Sequence, residues 1–314
     1  MRQFKITDLS ALYRYQTETI SLDGGYTLTR GGNLLGTAAL LDHISPDSQT
    51  TLAVQIEPYS KKKILGQMYI DPRTHTAKMN FLAPQELSGS LAMKELVEGL
   101  CKSAGVAGVV CVRAEIEVGN DIFGCFKEQK FRLYDRLRIW YLPVQGNGSY
   151  NGANHWSVTH DVDYIGIRHL AASLVPPMVQ AAQPVMEKAL PDLVYWQDNE
   201  IMGSMESMTG PGGIFLKPLL HPAIQEDAGA VLYQALHHYY PLVGRPVYIA
   251  VPSYQGWLES ILYKLQAEVI SLRSLMVRYL AQPLRVPEHE SAVRTLEKVR
   301  MHPSRIEGKG GDVA

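Results

Sequence analysis

Apolar and polar positions along this chain switch repeatedly between a period near two and a period near 3.6, and the switches mark out short elements. Arg2 to Ile6 reads as a strand, and Leu9, Leu12, Tyr13 and Ile20 as the apolar stripe of a helix begun by Thr7 and Asp8. Leu52 to Glu57, Ile64 to Ile70 and Ala77 to Leu82 read as a three-strand meander, with Asp71-Pro72 as a turn signal. Met93, Leu96, Val97, Leu100 and Cys101 then fall on one face of a helix. Val109-Val110-Cys111-Val112 has the unbroken apolar character of a strand covered on both faces. Ile122, Phe123 and Phe126 suit a short helix, and Phe131, Leu133, Leu137, Ile139 and Tyr141 alternate as a closing strand.

The second half repeats this closing order. Ala228, Val231, Leu232, Ala235, Leu236 and Tyr239 form the helical stripe, and Val247 to Val251 the buried strand. Trp257, Leu258, Ile261, Leu262 and Leu265 form another short helix. The segment Ser253 to Leu280 equals Glu115 to Leu142 in length, and ends Val-Arg-Tyr-Leu against Ile-Trp-Tyr-Leu. Duplication is the simplest reading. Glycine and asparagine replace any apolar period between Pro143 and Asn154, which reads as a linker, and the end of the chain turns polar and glycine-rich. The expected divisions are 1–143, a linker at 144–154, 155–282, and a polar tail at 283–314.

Composition narrows the function. With 314 residues, 46% hydrophobic and 19% charged, the chain can build a large core. A net charge of -1 gives no broad positive field, so neither nucleic acid nor a membrane surface is expected as a partner. The 3 cysteines lack CxxC spacing and point to a reducing, cytoplasmic setting, and the N-terminus has no apolar signal-peptide core. Prolines 176, 177 and 184 spoil the longest apolar-leaning stretch as a membrane span. His155, His160 and Asp161 lack a third imidazole at fixed spacing, and the adjacent His237 and His238 point apart on a helix, so no metal site is expected. No HExxH, GxSxG, Walker A or GxGxxG pattern occurs.

Strand, helix, meander, amphipathic helix, buried strand, helix and long final strand is an order that resembles the GCN5-related N-acetyltransferase (GNAT) family, once in each half. The resemblance runs from Met1 to about Leu280. It implies an α/β fold of two tandem GNAT-like, acyl-CoA N-acyltransferase domains, each a mixed twisted sheet flanked by helices. In that family acetyl-CoA lies where the fourth and fifth strands splay apart, its pyrophosphate on the N-terminus of the intervening helix, where free N–H groups and the helix dipole favour an anion. The family signature there is Gln or Arg, two residues, Gly, one residue, then Gly or Ala.

In the second half the resemblance places the strand at Ile214 to Pro222 and the signature at Gln225 to Ala230, so the implied cofactor site is Leu219, Leu220, Gln225, Ala228, Gly229 and Ala230. Ala228 stands where glycine is usual, with Gly229 displaced by one. Glu226 and Asp227 stabilise a first helical turn and would repel a diphosphate unless they turn outward. The first-half counterpart, Leu87 to Ala92, keeps small residues at Ser90 and Ala92 but replaces the polar lead with Leu87, an eroded copy.

Aligning the Gly-Phe that closes the family's last helix with Lys130-Phe131 and Gln266-Ala267 puts Phe126 and Leu262 at its catalytic tyrosine. Tyr263 is one residue, and therefore about 100°, away. Tyr254, just after the fifth strand, is the better-placed substitute. In the first half Glu115 and Glu117 leave a strand end on one face and are candidate bases. The reading implied is an N-acetyltransferase moving an acetyl group from acetyl-CoA to the primary amine of a small-molecule or peptide acceptor. The alternative is a catalytically inactive scaffold or acyl-CoA-sensing interaction protein, favoured by the missing tyrosine and glycines. A helix-strand repeat of another α/β family stays open, as does a homodimer.

Overall fold

A computed structural model describes residues 1–31, 50–143, 155–185, 190–224, 227–239 and 244–280. The expected linker at 144–154 and tail at 283–314 lie outside the described residues, as does Gln225. In the first half, β1 is Arg2–Gln3, α1 Leu9–Arg14, β2 Ile20–Ser21, α2 Gly24–Thr29, β3 Thr50–Ile56, β4 Lys63–Asp71 and β5 Thr76–Ala83. The helix α3, Leu91–Val106, β6, Cys111–Glu117, α4, Ile122–Glu128, and β7, Arg132–Leu142, complete it. The second half runs β8 Trp156–Val158, α5 Tyr164–Leu174, α6 Pro177–Ala182, β9 Leu193–Gln197, β10 Glu200–Gly210 and β11 Gly213–Leu220. It ends with α7 Ala228–Leu236, β12 Val247–Pro252, α8 Leu258–Lys264 and β13 Glu268–Tyr279.

Local chemistry explains these boundaries. Ser90 caps α3 by accepting the Met93 N–H at 3.1 Å, and the stripe of Met93, Leu96, Val97, Leu100 and Cys101 is buried. Asp198 and Asn199, both at positive φ (50° and 63°), make the tight turn between β9 and β10 that favours such residues. Lys130 and Gln266, aligned above with the family's glycine, hold φ of 64° and 59° directly after α4 and α8. They take the left-handed cap that glycine adopts at lower cost.

Two sequence boundaries shift. The strand expected from Val109 instead starts at Cys111 and continues to Glu117. Glu115 and Glu117 read as leaving a strand end in sequence, yet Glu115, paired with Lys78, lies buried within the strand. Ile20, placed in the first helical stripe, forms β2 and pairs with Leu82.

The strands form one sheet in the order β1-β3-β4-β5-β6-β13-β7-β12-β11-β10-β9-β8, with β2 added on β5. The closing strands are exchanged between the halves. The second half's β13 lies antiparallel between β6 and β7, and the first half's β7 lies between β13 and β12. One face carries two separate cores, under α3 and α4 in the first half and under α7 and α8 in the second. The other face has a core that draws on both halves, including Tyr134, Leu137, Phe215, Ala250 and Leu275. Among the described residues no helix is long and apolar enough to cross a membrane.

Candidate functional site: two strand wedges

Each half contains one parallel strand pair, and each pair parts after a few residues. In the first half β5 and β6 pair over Thr76–Lys78 and Cys111–Arg113. Beyond that point the gap is filled by the chain itself. Ile20 and Ser21 pair with Leu82 and Phe81, and Leu22 bridges both strands. Its N–H donates to the Asn80 carbonyl and its carbonyl accepts the Glu115 N–H, each at 2.9 Å. Leu22 is wholly buried.

A buried charge cluster pins this insert. Lys78 Nζ lies 2.9 Å from Asp23 and 2.5 Å from Glu115, and Glu115 also accepts the Gly24 N–H at 2.8 Å. Arg273, arriving on the exchanged β13, donates to the Ser21 carbonyl at 3.2 Å and the Glu115 carbonyl at 3.4 Å. A Cβ on Gly24 would come within 2.6 Å of Ile139 Cδ1 and 3.2 Å of Glu115 Oε2, so a larger residue would have to displace the Ile139 side chain. Burial works to raise the Glu115 pKa, but the charges of Lys78, Lys217 and Arg273 outweigh it and hold it at about 2. Burial likewise opposes the Lys78 charge, and Asp23 and Glu115 overcome it, raising its pKa.

The second-half pair behaves differently. The strands β11 and β12 pair over Ile214–Leu216 and Val247–Ile249, then part, and among the described residues no segment enters between Lys217–Leu220 and Ala250–Pro252. This wedge opens on a cavity of about 380 Å³ beneath α5 and α6, bordered at the wedge by Lys217, Pro218, Leu219, Ala250, Pro252 and Tyr254. At its far end Gln255, itself buried, accepts the Leu220 N–H at 3.1 Å.

The sequence candidates fall in different places. Tyr254 sits in a single helical turn after β12 and lines the cavity. Burial above all, then the nearby Asp135 and Glu206, raises its pKa, so the phenol keeps its proton. Leu219 borders the cavity, whereas Leu220 turns into the core under α7. Ala228, Gly229 and Ala230 form the first turn of α7. Ala228 is wholly buried, and Gly229 faces Ile261 and Leu265 with room for a Cβ at an ordinary contact distance of 3.6 Å.

Both carboxylates offered as bases need correction. Glu115 borders the cavity, but its oxygens are committed to Lys78 and Gly24, and a carboxyl held at about 2 is a weak base at neutral pH. Glu117 is exposed at the end of β6, near Ser271 Oγ at 3.4 Å, and is not among the residues lining the cavity. Phe126 and Leu262, at the family's tyrosine position, are wholly buried core residues. Tyr263 is 63% exposed with its ring against Trp140.

Sequence reading missed Asp135. This β7 residue is 8% exposed, lines the second-half cavity and accepts a hydrogen bond from Ser253 Oγ. No local pattern marks it, because it reaches the site only through the strand exchange. Among the described residues no cluster of three or more His, Cys, Asp or Glu is arranged to hold a metal ion, and the cysteines are free, buried thiols.

No protein-family model matches the chain, and no curated protein matches it. Solved structures do. A GCN5-related N-acetyltransferase from Sphaerobacter thermophilus superposes with a TM-score of 0.55 at 14% identity, over 90% of this chain and 95% of that one. A putative acetyltransferase from Pyrococcus horikoshii gives 0.51 at 13% identity, over 89% of each chain. A tandem GNAT protein from the clavulanic acid biosynthesis pathway gives 0.50 at 11% identity, over 90% of this chain and 98% of that one. At such identities the likeness speaks to architecture, and the chain has the tandem GCN5-related N-acetyltransferase fold.

Proposed function

We propose that this protein transfers an acetyl group from acetyl-CoA to a primary amine, and that transfer takes place in the second half, in the wedge between β11 and β12. The observation that carries this reading is the contrast between the wedges: the first is filled by Leu22 and its neighbours, whereas the second leads into a cavity beside a protonated tyrosine. The backbone edges of Lys217–Leu220 and Ala250–Pro252 have no strand partner across the gap. An extended chain bearing amides, such as the pantetheine arm of CoA, suits such edges as an added strand would. Leu219 and Leu220 would border that arm, and the first turn of α7, preceded by Gln225, would face the diphosphate.

Acetyl-CoA would supply a thioester carbonyl as electrophile. Overall a nitrogen–carbon bond forms and a carbon–sulfur bond breaks; the ammonium gives up two protons, one to solvent and one to the sulfur. Tyr254, which lines the cavity and is kept protonated by burial, would donate that proton to the departing sulfur as general acid. The two halves, divided as the sequence suggests at 1–143 and 155–282, would then differ in role, the first a closed partner and the second the acyl-transfer unit. The acceptor is a small molecule or peptide carrying the amine.

A second reading, a non-catalytic scaffold, draws on one observation: Gln255 already satisfies the Leu220 N–H at the wedge. The test is calorimetric titration of acetyl-CoA, followed by a turnover assay on Tyr254→Phe. Heat with the wild type, and retained heat with about 10²-fold lower turnover in the variant, are expected. Absence of wild-type heat would establish the scaffold instead.

A further inference from the structure

The cavity beside Tyr254 is lined by charged side chains of both signs, and most neutralise one another. Asp71 pairs with Arg73 at 3.1 Å, Lys217 with Glu206 at 3.6 Å, and Glu115 with Lys78. Asp192 is exposed and takes the Ser207 N–H and O–H. Besides the exposed Asp192, two lining residues have no charge partner among the described residues, and they are of opposite sign. Asp135 accepts from Ser253 Oγ through Oδ1, while its buried Oδ2 has no hydrogen-bond partner. Arg113 makes one hydrogen bond, to Thr76 Oγ1 at 3.3 Å, and its buried Nε has none.

A buried carboxylate oxygen or guanidinium nitrogen without a hydrogen-bond partner is costly, and at a cavity wall a ligand can supply that partner. Arg113 and Asp135 do not complete each other. They stand on β6 and β7 with β13 between, opposite Val277 and Leu275 respectively. Their backbones are therefore two strand spacings apart across the sheet and two residues apart along it, about 12 Å. That interval suits a small molecule with a cation at one end and an anion at the other, each making a charge-assisted hydrogen bond. Ser253, the hydrogen-bond partner of Asp135, directly precedes Tyr254, so the cationic end would lie on the tyrosine side. Ile167, Ala171, Val175 and Val179 from α5 and α6 supply an apolar wall for the remainder of the ligand.

We propose that this cavity binds a free amino acid, its ammonium against Asp135 and its carboxylate against the Arg113 fork. The proposal rests on the second-half wedge as the site of transfer for its consequence, that the amino acid is the acetyl acceptor, but the binding itself does not require acetyl-CoA. Both ligating residues come from the first half. That half, with its own wedge filled, would still contribute the acceptor subsite through β6 and the exchanged β7.

The experiment has two arms on the full-length protein. In the first, the proteinogenic L-amino acids, β-alanine and γ-aminobutyrate are titrated calorimetrically without acetyl-CoA, each beside its carboxamide. One or more acids should bind, with the carboxamide about tenfold weaker or worse. Asp135→Asn and Arg113→Gln should each weaken the acid by a similar factor. Arg113→Gln should also abolish the preference for acid over amide, and Arg113→Lys, which keeps the charge without the fork, should restore part of it. Matching circular dichroism melts guard against misfolding. In the second arm, CoA thiol release is followed with the acid that binds. Binding of no acid, or of amides and simple amines as tightly as acids, overturns the proposal. Acid binding without acetyl-CoA heat would sink the transferase reading and leave the amino-acid site standing.

Discussion

The two parallel strand pairs begin alike, each joined over three residue pairs, and end in opposite ways. In the first half the gap receives Ile20 to Gly24, hydrogen-bonded to both strands and pinned by Lys78, Asp23, Glu115 and Arg273. In the second half the gap keeps its backbone edges and leads to a cavity. The same architecture thus has two outcomes: one wedge is filled by the chain itself, and the other opens on a cavity. Strand exchange links them, because Arg273 of the second half braces the filled wedge while Asp135 of the first half lines the open one.

The contrast is most easily broken at the charge cluster. Glu115→Ala leaves Lys78 with a single carboxylate and frees the Gly24 N–H, and should lower unfolding free energy by about 3 kcal/mol in urea titrations. The pH dependence follows from the same group. Its carboxyl goes from an ordinary 4.5 to about 2 on folding, so the stability it gives is full above the ordinary value and is lost as pH falls from there toward 2. Glu115→Gln should flatten that acid limb, and an unchanged limb would mean the cluster does not hold the insert.

Gln255→Ala sharpens the other side. Leaving the buried Leu220 N–H without a partner should cost about 1 kcal/mol in the free protein. Acetyl-CoA should restore more of that loss in the variant than it adds to the wild type, read as a larger rise in melting temperature on addition of the ligand. Equal shifts would place the ligand away from β11. The smallest expected effect is at Lys130 and Gln266. Replacing either by glycine relieves a left-handed backbone and should stabilise the protein by about 0.5 kcal/mol, in both halves alike.

Much of the fold was legible because element order survives divergence. The closing helices were aligned by a glycine that neither half retains, and Lys130 and Gln266 prove to occupy its backbone conformation. Phe126 and Leu262, read as replacing a tyrosine, are core residues. What was hidden depended on contacts far apart in the chain. Leu22 precedes Asp-Gly-Gly and looks like part of a turn, yet it joins two strands distant in sequence. Both β7 and β13 alternate convincingly, and alternation specifies which face is buried without specifying a neighbour. Asp135 and Arg113 carry no motif in the sequence, and it is the sheet, with β13 between β6 and β7, that sets both against one cavity. Glu115 stands near a strand end in sequence, where nothing reveals that Lys78 Nζ on the neighbouring strand reaches its carboxylate.

The central claim, that one wedge is sealed and the other takes the acyl donor, is tested most directly by amide hydrogen exchange with and without acetyl-CoA. The Leu22 and Glu115 amides, held between strands, should exchange only by global unfolding and be indifferent to the ligand. Of Lys217–Leu220, where Pro218 has no N–H, the Leu220 amide, which faces the gap, should slow when it is added. Ligand-induced protection at Leu22, Glu115 or Leu82 without protection in β11 would contradict the account.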